Sequence, residues 1–302
     1  LNKLYLKPIG GLCNRMRAVD TAVTLADRLG KQLIVFWGRD IHLNCKFSDL
    51  FNPSECFTVI EEKQYMGRKA PFPYLPGSKP NTPLRSTLYN LTKVALNIKS
   101  EIWFEEFEAA ILPLVSDINP RKIRSMKEFE KMSFSYIEPL LAPLQVEGNS
   151  FISTAWSLLP EHNYSKRFVP TDTLQSQIIS VTSKFTDTIG VHIRRSDHKA
   201  AIQYSSLKKF INAMDCRLKE NSNTTFFLAT DCIHTERELL NRFPDIILTY
   251  TKSSYCRNSK TGVQDALIDL YCLSKTNKIL GSYYSSFSQV AAEISGIEEV
   301  TI

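Results

Sequence analysis

The stretch TIGVHIRRSD, Thr188 to Asp197, is an apolar run that becomes charged at its carboxyl end. Further apolar, strand-like runs follow it, at Thr225 to Ala229, Ile246 to Leu248, Lys278 to Leu280 and Glu299 to Thr301. Helical patterns separate these runs, at Leu207 to Lys219, Thr235 to Arg242, Val263 to Ser274 and Ser286 to Ser295. Strict alternation of strands and helices predicts a doubly wound parallel sheet, in which ligands bind where the strands end.

The beginning of the chain predicts a second sheet of the same kind. A strand at Lys3 to Pro8, the Gly10-Gly11 turn, a helix and a strand at Gln32 to Trp37 form a β-α-β unit. Apolar residues recur along this helix at three- and four-residue steps, at Leu12, Met16, Val19, Val23, Ala26 and Leu29. We therefore predict an α/β protein with two Rossmann-like domains, residues 1–185 and 186–302, facing across a cleft.

The middle of the chain has a looser pattern between Phe47 and Asn119. Within it, Ala70 to Pro83 contains five prolines and Gly77, which predicts irregular structure. Such an insertion in the first domain fits a lid or an acceptor-binding segment, and it fits disorder equally well. Pro120 to Met132 reads as a short basic helix, and Ser150 to Ala155 as a buried strand.

Composition places the chain among ordinary globular proteins, with 43% hydrophobic and 23% charged residues in 302. The formal charge of +6 suits anionic small ligands or peripheral contact with an anionic membrane. It equally fits a merely solvated basic surface. The charge is too mild to indicate a nucleic-acid partner, since it is not accompanied by the basic helix or aromatic-studded strand motif of the usual nucleic-acid-binding modules.

The cysteines number seven, an odd count without a CxxC pair or a metal-like cluster with histidine. Reduced thiols, and with them a cytoplasmic location, are the simplest interpretation. No apolar run reaches the roughly eighteen residues of a membrane span. Asn-x-Ser/Thr sequons at Asn90, Asn163 and Asn223 would suit a secretory lumen if a preceding segment directed the chain there.

The charged end of TIGVHIRRSD is the first candidate binding site. His192 and Arg194 share one face of the strand because side chains alternate, and an arginine fork matches phosphate oxygens. Its charge would stabilise the negative charge that grows on a departing diphosphate. The motif alone also fits a surface ion pair of Arg194 or Arg195 with Asp197, and a hydrogen-bonded core histidine.

Two further segments join a strand to a helix. In PIGGLCNR, residues 8–15, glycines permit close approach of a ligand and the free amides of the helix start attract an anion, while Asn14 could project toward the cleft. This turn lacks the GxGxxG spacing of dinucleotide sites and fits a purely structural role as well. GSYYSSFS, residues 281–288, offers neutral donors to a phosphate or caps the last helix.

Aspartates mark the last two candidates. Asp265 and Asp269 lie four residues apart on one helix face, and Asp269, between apolar neighbours, could accept hydrogen bonds from a base such as guanine. Asp265 better fits a favourable charge near a helix start. The strand FFLATD ends in Thr230 and Asp231, which either line the site or form a turn.

Together, GGLCNR, HIRRSD, FFLATD and LIDLYCLSKTNKILGSYYSSFSQVAAEI resemble the fucosyltransferase superfamily that includes the nodulation, core α1,6- and protein O-fucosyltransferases. The resemblance covers the first forty residues and most of 188–296. It implies a GT-B fold, with an N-terminal acceptor-side domain and a C-terminal nucleotide-sugar domain. It also implies inverting transfer from GDP-β-L-fucose with neither metal nor cofactor.

The resemblance also implies roles for single residues. Arg194 would hold the diphosphate as the essential catalytic residue, and His192 and Asp269 would contact the guanosine. The remaining residues predicted to bind the sugar donor are Gly10, Gly11, Asn14, Arg195, Asp231, Ser285 and Ser286. The core fucosyltransferase pattern has a catalytic glutamate beyond HxRRxD, where this chain reads HKAAI, 198–202. The base is therefore unassigned, with Asp20, Asp197 and His198 as candidates.

The expected partners are a nucleotide-sugar donor and a glycan, lipid-linked sugar or peptide acceptor. The alternatives are the same fold with another GDP-sugar, and a catalytically inactive protein that binds GDP or a partner. An unrelated dinucleotide-binding protein is disfavoured because neither glycine turn has the required spacing.

Overall fold

The computed structural model describes residues 1–61, 73–116, 118–196, 198–256 and 258–302. The chain forms two compact units: Leu1–Ser116 with Glu130–Val169, and Asp117–Phe129 with Pro170–Ile302. The predicted division at residue 185 differs, since Pro170 to Phe185 and a short segment before Glu130 belong to the second unit. The start of the predicted proline-rich loop, residues 70–72, and Asp197 lie outside the described residues.

The first unit is built on a parallel five-stranded sheet. Its strands are β1 Lys3–Pro8, β2 Gln32–Trp37, β3 Thr58–Glu61, β4 Ile98–Ile102 and β5 Asn149–Thr154, in the order β3-β2-β1-β5-β4. Its helices are α1 Leu12–Arg28, α2 Pro83–Ala95, α3 Phe104–Val115, most of α4 Met126–Ile137, a 3-10 helix at Glu138–Gln145, and α5 Tyr164–Arg167. Aromatic residues pack one core cluster of this unit, among them Tyr89, Trp103 and Phe151.

The second unit has its own parallel five-stranded sheet. Its helices are α6 Asp172–Thr182, α7 Lys199–Tyr204, α8 Leu207–Glu220, α9 Ile233–Arg242, α10 Lys260–Leu273 and α11 Ser286–Ser295. Its strands are β6 Thr188–Ile193, β7 Thr225–Thr230, β8 Ile247–Leu248, β9 Lys278–Gly281 and β10 Glu298–Thr301. The sheet order is β10-β9-β6-β7-β8, so the winding reverses between β6 and β9 and creates a topological switch point there.

Packing explains why the strands of this sheet are so apolar. All six residues of β6 are buried, as expected for a parallel strand covered on both faces. Ile189, Val191 and Ile193 pack into one cluster with apolar residues of α8 and α9. At the neighbouring position, Gly190, an added Cβ would lie 2.9 Å from the Leu273 side chain of α10, so a larger residue would force that side chain to shift.

The predicted elements of both sheets are confirmed. The described part of the proline-rich segment, residues 73–82, is irregular as predicted, and its last proline, Pro83, is the first residue of α2 with Thr82 as the cap. The wider stretch with the looser pattern, from Phe47 to Asn119, nevertheless contains β3, α2, β4 and α3, which were not predicted. The basic helix expected from Pro120 starts only at Met126. The Ser125 hydroxyl accepts from the Glu128 N–H at 3.1 Å and so sets that helix start. Among the described residues, no helix combines the length and apolar character of a membrane crossing.

Candidate active site

The ends of β6 and β9 lie side by side in the second unit, with His192 opposite Gly281 in register. Just beyond this pair, the Ser282 hydroxyl donates to the His192 carbonyl at 3.1 Å and accepts from the Arg194 backbone N–H at 2.9 Å. One serine therefore joins HIRRSD to GSYYSSFS. The junction coincides with the switch point, the position at which ligands of doubly wound sheets bind.

Asp231 follows β7 and fixes the turn after β6. Its Oδ1 accepts from the Arg195 backbone N–H at 2.7 Å, and its Oδ2 accepts from the Ser196 hydroxyl at 2.6 Å. The Ser196 backbone N–H donates to the same Oδ2 at 3.3 Å. The carboxylate thus orders the backbone next to Arg194, and a direct contact with a sugar donor stays a prediction.

The two arginines of HIRRSD have different surroundings. The Arg195 Nη2 donates to the Ser205 carbonyl at 2.7 Å, which ties the strand end to the end of α7. Burial lowers the pKa of Arg195, and Asp231 acts in the opposite direction. The Arg194 side chain is 25% exposed, and its Nε lies 4.0 Å from the Asp231 Oδ2. Arg194 is therefore the arginine that can reach a ligand at the sheet edge.

His192 is a buried, neutral ring. It stacks on Phe287 of α11 with centroids 4.8 Å apart, and its Nδ1 is buried without a hydrogen-bond partner in the described part of the chain. Burial, and then the charge of Arg194, lowers the pKa of His192 to about 3. An uncharged imidazole with an unsatisfied nitrogen suits a neutral hydrogen-bonding contact with a ligand.

Asp269 on α10 is part of a buried charge cluster. Its Oδ2 lies 3.1 Å from the Nζ of Lys252, which also lies 3.2 Å from the Oε2 of Glu236 on α9. The side chains of Lys252 and Asp269 are 4% and 5% exposed. The second oxygen of Asp269, Oδ1, is buried and has no hydrogen-bond partner among the described residues. Burial raises the pKa of Asp269 to about 7, with Lys252 opposing the rise.

Asp265, one helical turn before Asp269, organises the loop that carries Lys252. Its Oδ2 accepts from the backbone N–H groups of Ser253 and Ser254 at 2.7 and 2.9 Å, and its Oδ1 accepts from the Tyr250 hydroxyl at 3.1 Å. This role goes beyond the favourable helix-start charge that the sequence suggested. The loop after β8 is thereby held against α10 at the carboxyl edge of the sheet.

The serine segment begins α11, as predicted. Ser285 is buried, and its hydroxyl accepts from the Phe287 N–H at 3.4 Å, so it caps the helix that starts at Ser286. Tyr284 just before it has φ of +54°, a left-handed conformation that costs a non-glycine residue energy. The turn aims the amides of the first helical turn at the sheet edge, where they would attract an anion.

Gly10, Gly11 and Asn14 belong to the first unit, whereas the other predicted site residues belong to the second. Gly10 has φ of +82°, and an added Cβ would lie 2.9 Å from the Asn14 side-chain nitrogen. Gly11 precedes α1, and Asn14 occupies its first turn. Sequence reasoning missed the role of Arg15, whose Nε donates to the Gly10 carbonyl at 2.8 Å while its Nη2 lies 2.6 Å from Asp40.

Two of the three base candidates can be judged from their contacts. Asp20 is fully buried within the first unit, where it accepts from Arg167 Nη1 and lies 2.9 Å from His162 Nδ1. Its oxygens are thus occupied inside the protein. The His198 Nδ1 accepts from the Ala201 N–H at 3.1 Å, so the neutral ring carries its proton on Nε2 and presents a donor there. Asp197 lies outside the described residues.

Of the residues predicted to form the site, those in the second unit lie at the carboxyl edge of its sheet or on the adjoining helices: His192, Arg194, Arg195, Asp231, Asp269, Ser285 and Ser286. The sequence did not predict a role for Lys252 or Glu236, because a lysine in a polar loop and a glutamate on a helix are normally exposed. A cavity of about 610 Å³ also opens in this unit, lined by Asn119, Pro120, Arg121, Lys122 and Tyr204.

Solved structures with the same fold include two kinds of fucosyltransferase. NodZ α-1,6-fucosyltransferase soaked with GDP-fucose is 15% identical over 97% of this chain and 93% of that chain, with a TM-score of 0.59. Fucosyltransferase NodZ from Bradyrhizobium is 14% identical, with 96% and 92% covered and a TM-score of 0.56. POFUT1 in complex with GDP is 11% identical, with 99% and 98% covered and a TM-score of 0.57.

No protein-family model matches the chain, and no curated protein sequence matches it either. At these identities, the structural likeness confirms the predicted α/β fold of the GT-B class, with its two Rossmann-like units. The predicted resemblance to the fucosyltransferase superfamily is confirmed at the level of the fold.

Proposed function

We propose that the protein is a glycosyltransferase that moves L-fucose from GDP-β-L-fucose to a hydroxyl group of a glycan, lipid-linked sugar or peptide. The observation that carries this proposal is the pair of unsatisfied buried atoms, Asp269 Oδ1 and His192 Nδ1, in the unit that also presents Arg194. Buried polar atoms without partners are rare, because each costs about 1–3 kcal/mol. A bound nucleoside would satisfy both atoms.

The chemistry of Asp269 favours guanine as the base. An ionised carboxylate is a pure acceptor, and guanine presents adjacent N–H donors on its ring and its exocyclic amine. Adenine presents an acceptor nitrogen beside its amine, which would face the carboxylate unfavourably. NodZ and POFUT1, which share the fold, have been crystallised with GDP or GDP-fucose, in agreement with a guanine nucleotide.

The diphosphate would bind between Arg194 and the first turn of α11. Arginine supplies a fixed positive charge, and the amides at Ser285 and Ser286 supply oriented dipoles. As the bond between the anomeric carbon and the diphosphate oxygen breaks, negative charge moves to that oxygen, where these groups stabilise it. The acceptor hydroxyl attacks the opposite face of the sugar and inverts the anomeric centre, and its proton passes to water.

A metal ion is not required in this proposal, since Arg194 and the helix amides neutralise the developing charge. Gly10, Gly11 and Asn14 are proposed to contact the sugar donor on the strength of the sequence resemblance.

The test begins with nucleotide binding by calorimetry, comparing GDP with ADP and UDP. Binding of GDP with clear preference is the expected result, and absence of any nucleotide binding would overturn the proposal. Transfer is then assayed with GDP-fucose, GDP-mannose and other GDP-sugars against glycan, lipid-linked and peptide acceptors, with and without a chelator. Binding of GDP without turnover for any sugar donor would instead support an inactive GDP-binding protein.

A further inference from the structure

The buried cluster around Lys252 carries more negative than positive charge. Two carboxylates, Glu236 from α9 and Asp269 from α10, share a single ammonium group at 3.2 and 3.1 Å. Burial acts to lower the pKa of Lys252, but the two carboxylates outweigh it and the net shift is upward. Lys252 therefore stays charged, and removing it would leave two carboxylates buried without their counter-ion.

The position of Lys252 also orients Asp269. Its ammonium group occupies Oδ2, while Oδ1 remains the oxygen without a partner in the described part of the chain. The backbone of the Lys252 loop is held independently, since Asp265 accepts from the N–H groups of Ser253 and Ser254. The loop thus delivers the cation to one oxygen and leaves the other for a ligand.

The ionisation state decides what that free oxygen can do. A carboxylate accepts N–H donors, whereas a protonated carboxyl group places a hydrogen on one oxygen and loses acceptor capacity. Lys252 counters the burial that raises the pKa of Asp269 to about 7, while Glu236 and Asp265 contribute to the rise. Among the described residues, the other titratable groups that interact with Asp269 are Tyr250 and Tyr255 of the loop and Cys272 of α10.

We propose that Lys252 is a positioning residue for base recognition: it favours the ionised form of Asp269 and holds its Oδ2, so that Oδ1 accepts the N–H donors of a guanine base. The inference rests on the proposed function and deepens it, since it assigns the choice of base to a loop lysine that touches no ligand. The selectivity for guanine over adenine then depends on the Lys252–Asp269 pair rather than on Asp269 alone.

The decisive experiment measures nucleotide affinity of Lys252→Met and Lys252→Arg by calorimetry between about pH 5.5 and pH 8.5, with GDP, IDP and ADP as probes. In Lys252→Met, GDP affinity falls roughly 10- to 100-fold at pH 7, the loss shrinks as the pH rises, and the preference for GDP over ADP narrows. Lys252→Arg restores most of the affinity. In Lys252→Met, the affinity for IDP, which lacks the exocyclic amine, falls less than the affinity for GDP.

A matched control is Lys278→Met, which removes another lysine–glutamate pair of the second unit, Lys278 with Glu298, away from the cluster. It leaves GDP affinity and its pH dependence unchanged. Wild-type affinity for GDP in Lys252→Met, with an unaltered pH profile, overturns the inference while leaving the proposed function standing. Failure of the wild-type protein to bind GDP overturns both.

Glu236→Gln provides a second readout if Lys252→Met does not fold. The variant keeps the hydrogen-bonding shape at Glu236 but removes a negative charge that helps to raise the pKa of Asp269. The pH midpoint of GDP binding therefore moves downward, an effect that a purely structural glutamate would not produce. An unchanged midpoint contradicts the proposed coupling.

Discussion

Replacing Arg194 with alanine removes the arginine of HIRRSD that is accessible at the sheet edge, where a diphosphate would bind. Its side chain is 25% exposed, so an effective dielectric constant of about 20 applies, and a unit charge about 4 Å away interacts by roughly 4 kcal/mol. If half of this interaction energy is already present when the sugar donor binds, losing the other half slows transfer about 30-fold. If the whole interaction energy forms only in the transition state, its loss slows transfer about 1000-fold. We expect the transfer rate of Arg194→Ala to be lower than that of the wild type by at least about 30-fold.

The assay is fucose release and transfer from GDP-fucose, with GDP affinity measured in parallel. Arg194→Lys keeps a charge but loses the fork, so it should recover part of the rate. The matched control is Arg242→Ala, which removes an exposed arginine paired with Asp215 in the same unit and should leave the rate unchanged. Turnover of Arg194→Ala within about twofold of the wild type would refute the assignment of Arg194 to the leaving group.

The other predictions concern base recognition and stability. Asp269→Asn should weaken GDP binding roughly 10- to 100-fold by calorimetry, since hydrogen bonds to a charged group contribute about 1.5–3 kcal/mol; equal affinity would argue against base contact. Gly262→Ala places a Cβ against the Cys256 carbonyl oxygen and should lower the free energy of unfolding by about 1–3 kcal/mol in a denaturant titration, whereas an unchanged midpoint would contradict the close contact. Asp20→Asn breaks the buried pair with Arg167 and should cost about 3–5 kcal/mol by the same method, and a loss below about 1 kcal/mol would show that the pair contributes little.

The strongly patterned parts of the chain were predictable from sequence. β6 is buried along its whole length, so its apolar run stands out, and α11 runs from Ser286 to Ser295 as the pattern predicts. In the middle of the chain, β3 was not predicted because its residues alternate between exposed and half-buried, which weakens the apolar pattern of the strand. The helix α2 was not predicted because it begins at a proline, Pro83, which occupies the first helical position, where proline is tolerated.

The sequence by itself determined the α/β class, the strand ends that carry HIRRSD and GSYYSSFS, and Asp269 as a candidate for base recognition. These follow from local periodicity and from the rule that ligands bind at the carboxyl ends of parallel strands. Only the tertiary structure decided which arginine stays accessible, since Arg195 bonds to the Ser205 carbonyl. It also decided that Lys252 is buried against Asp269, because burial depends on which segments pack together, and no local pattern in the sequence encodes that contact.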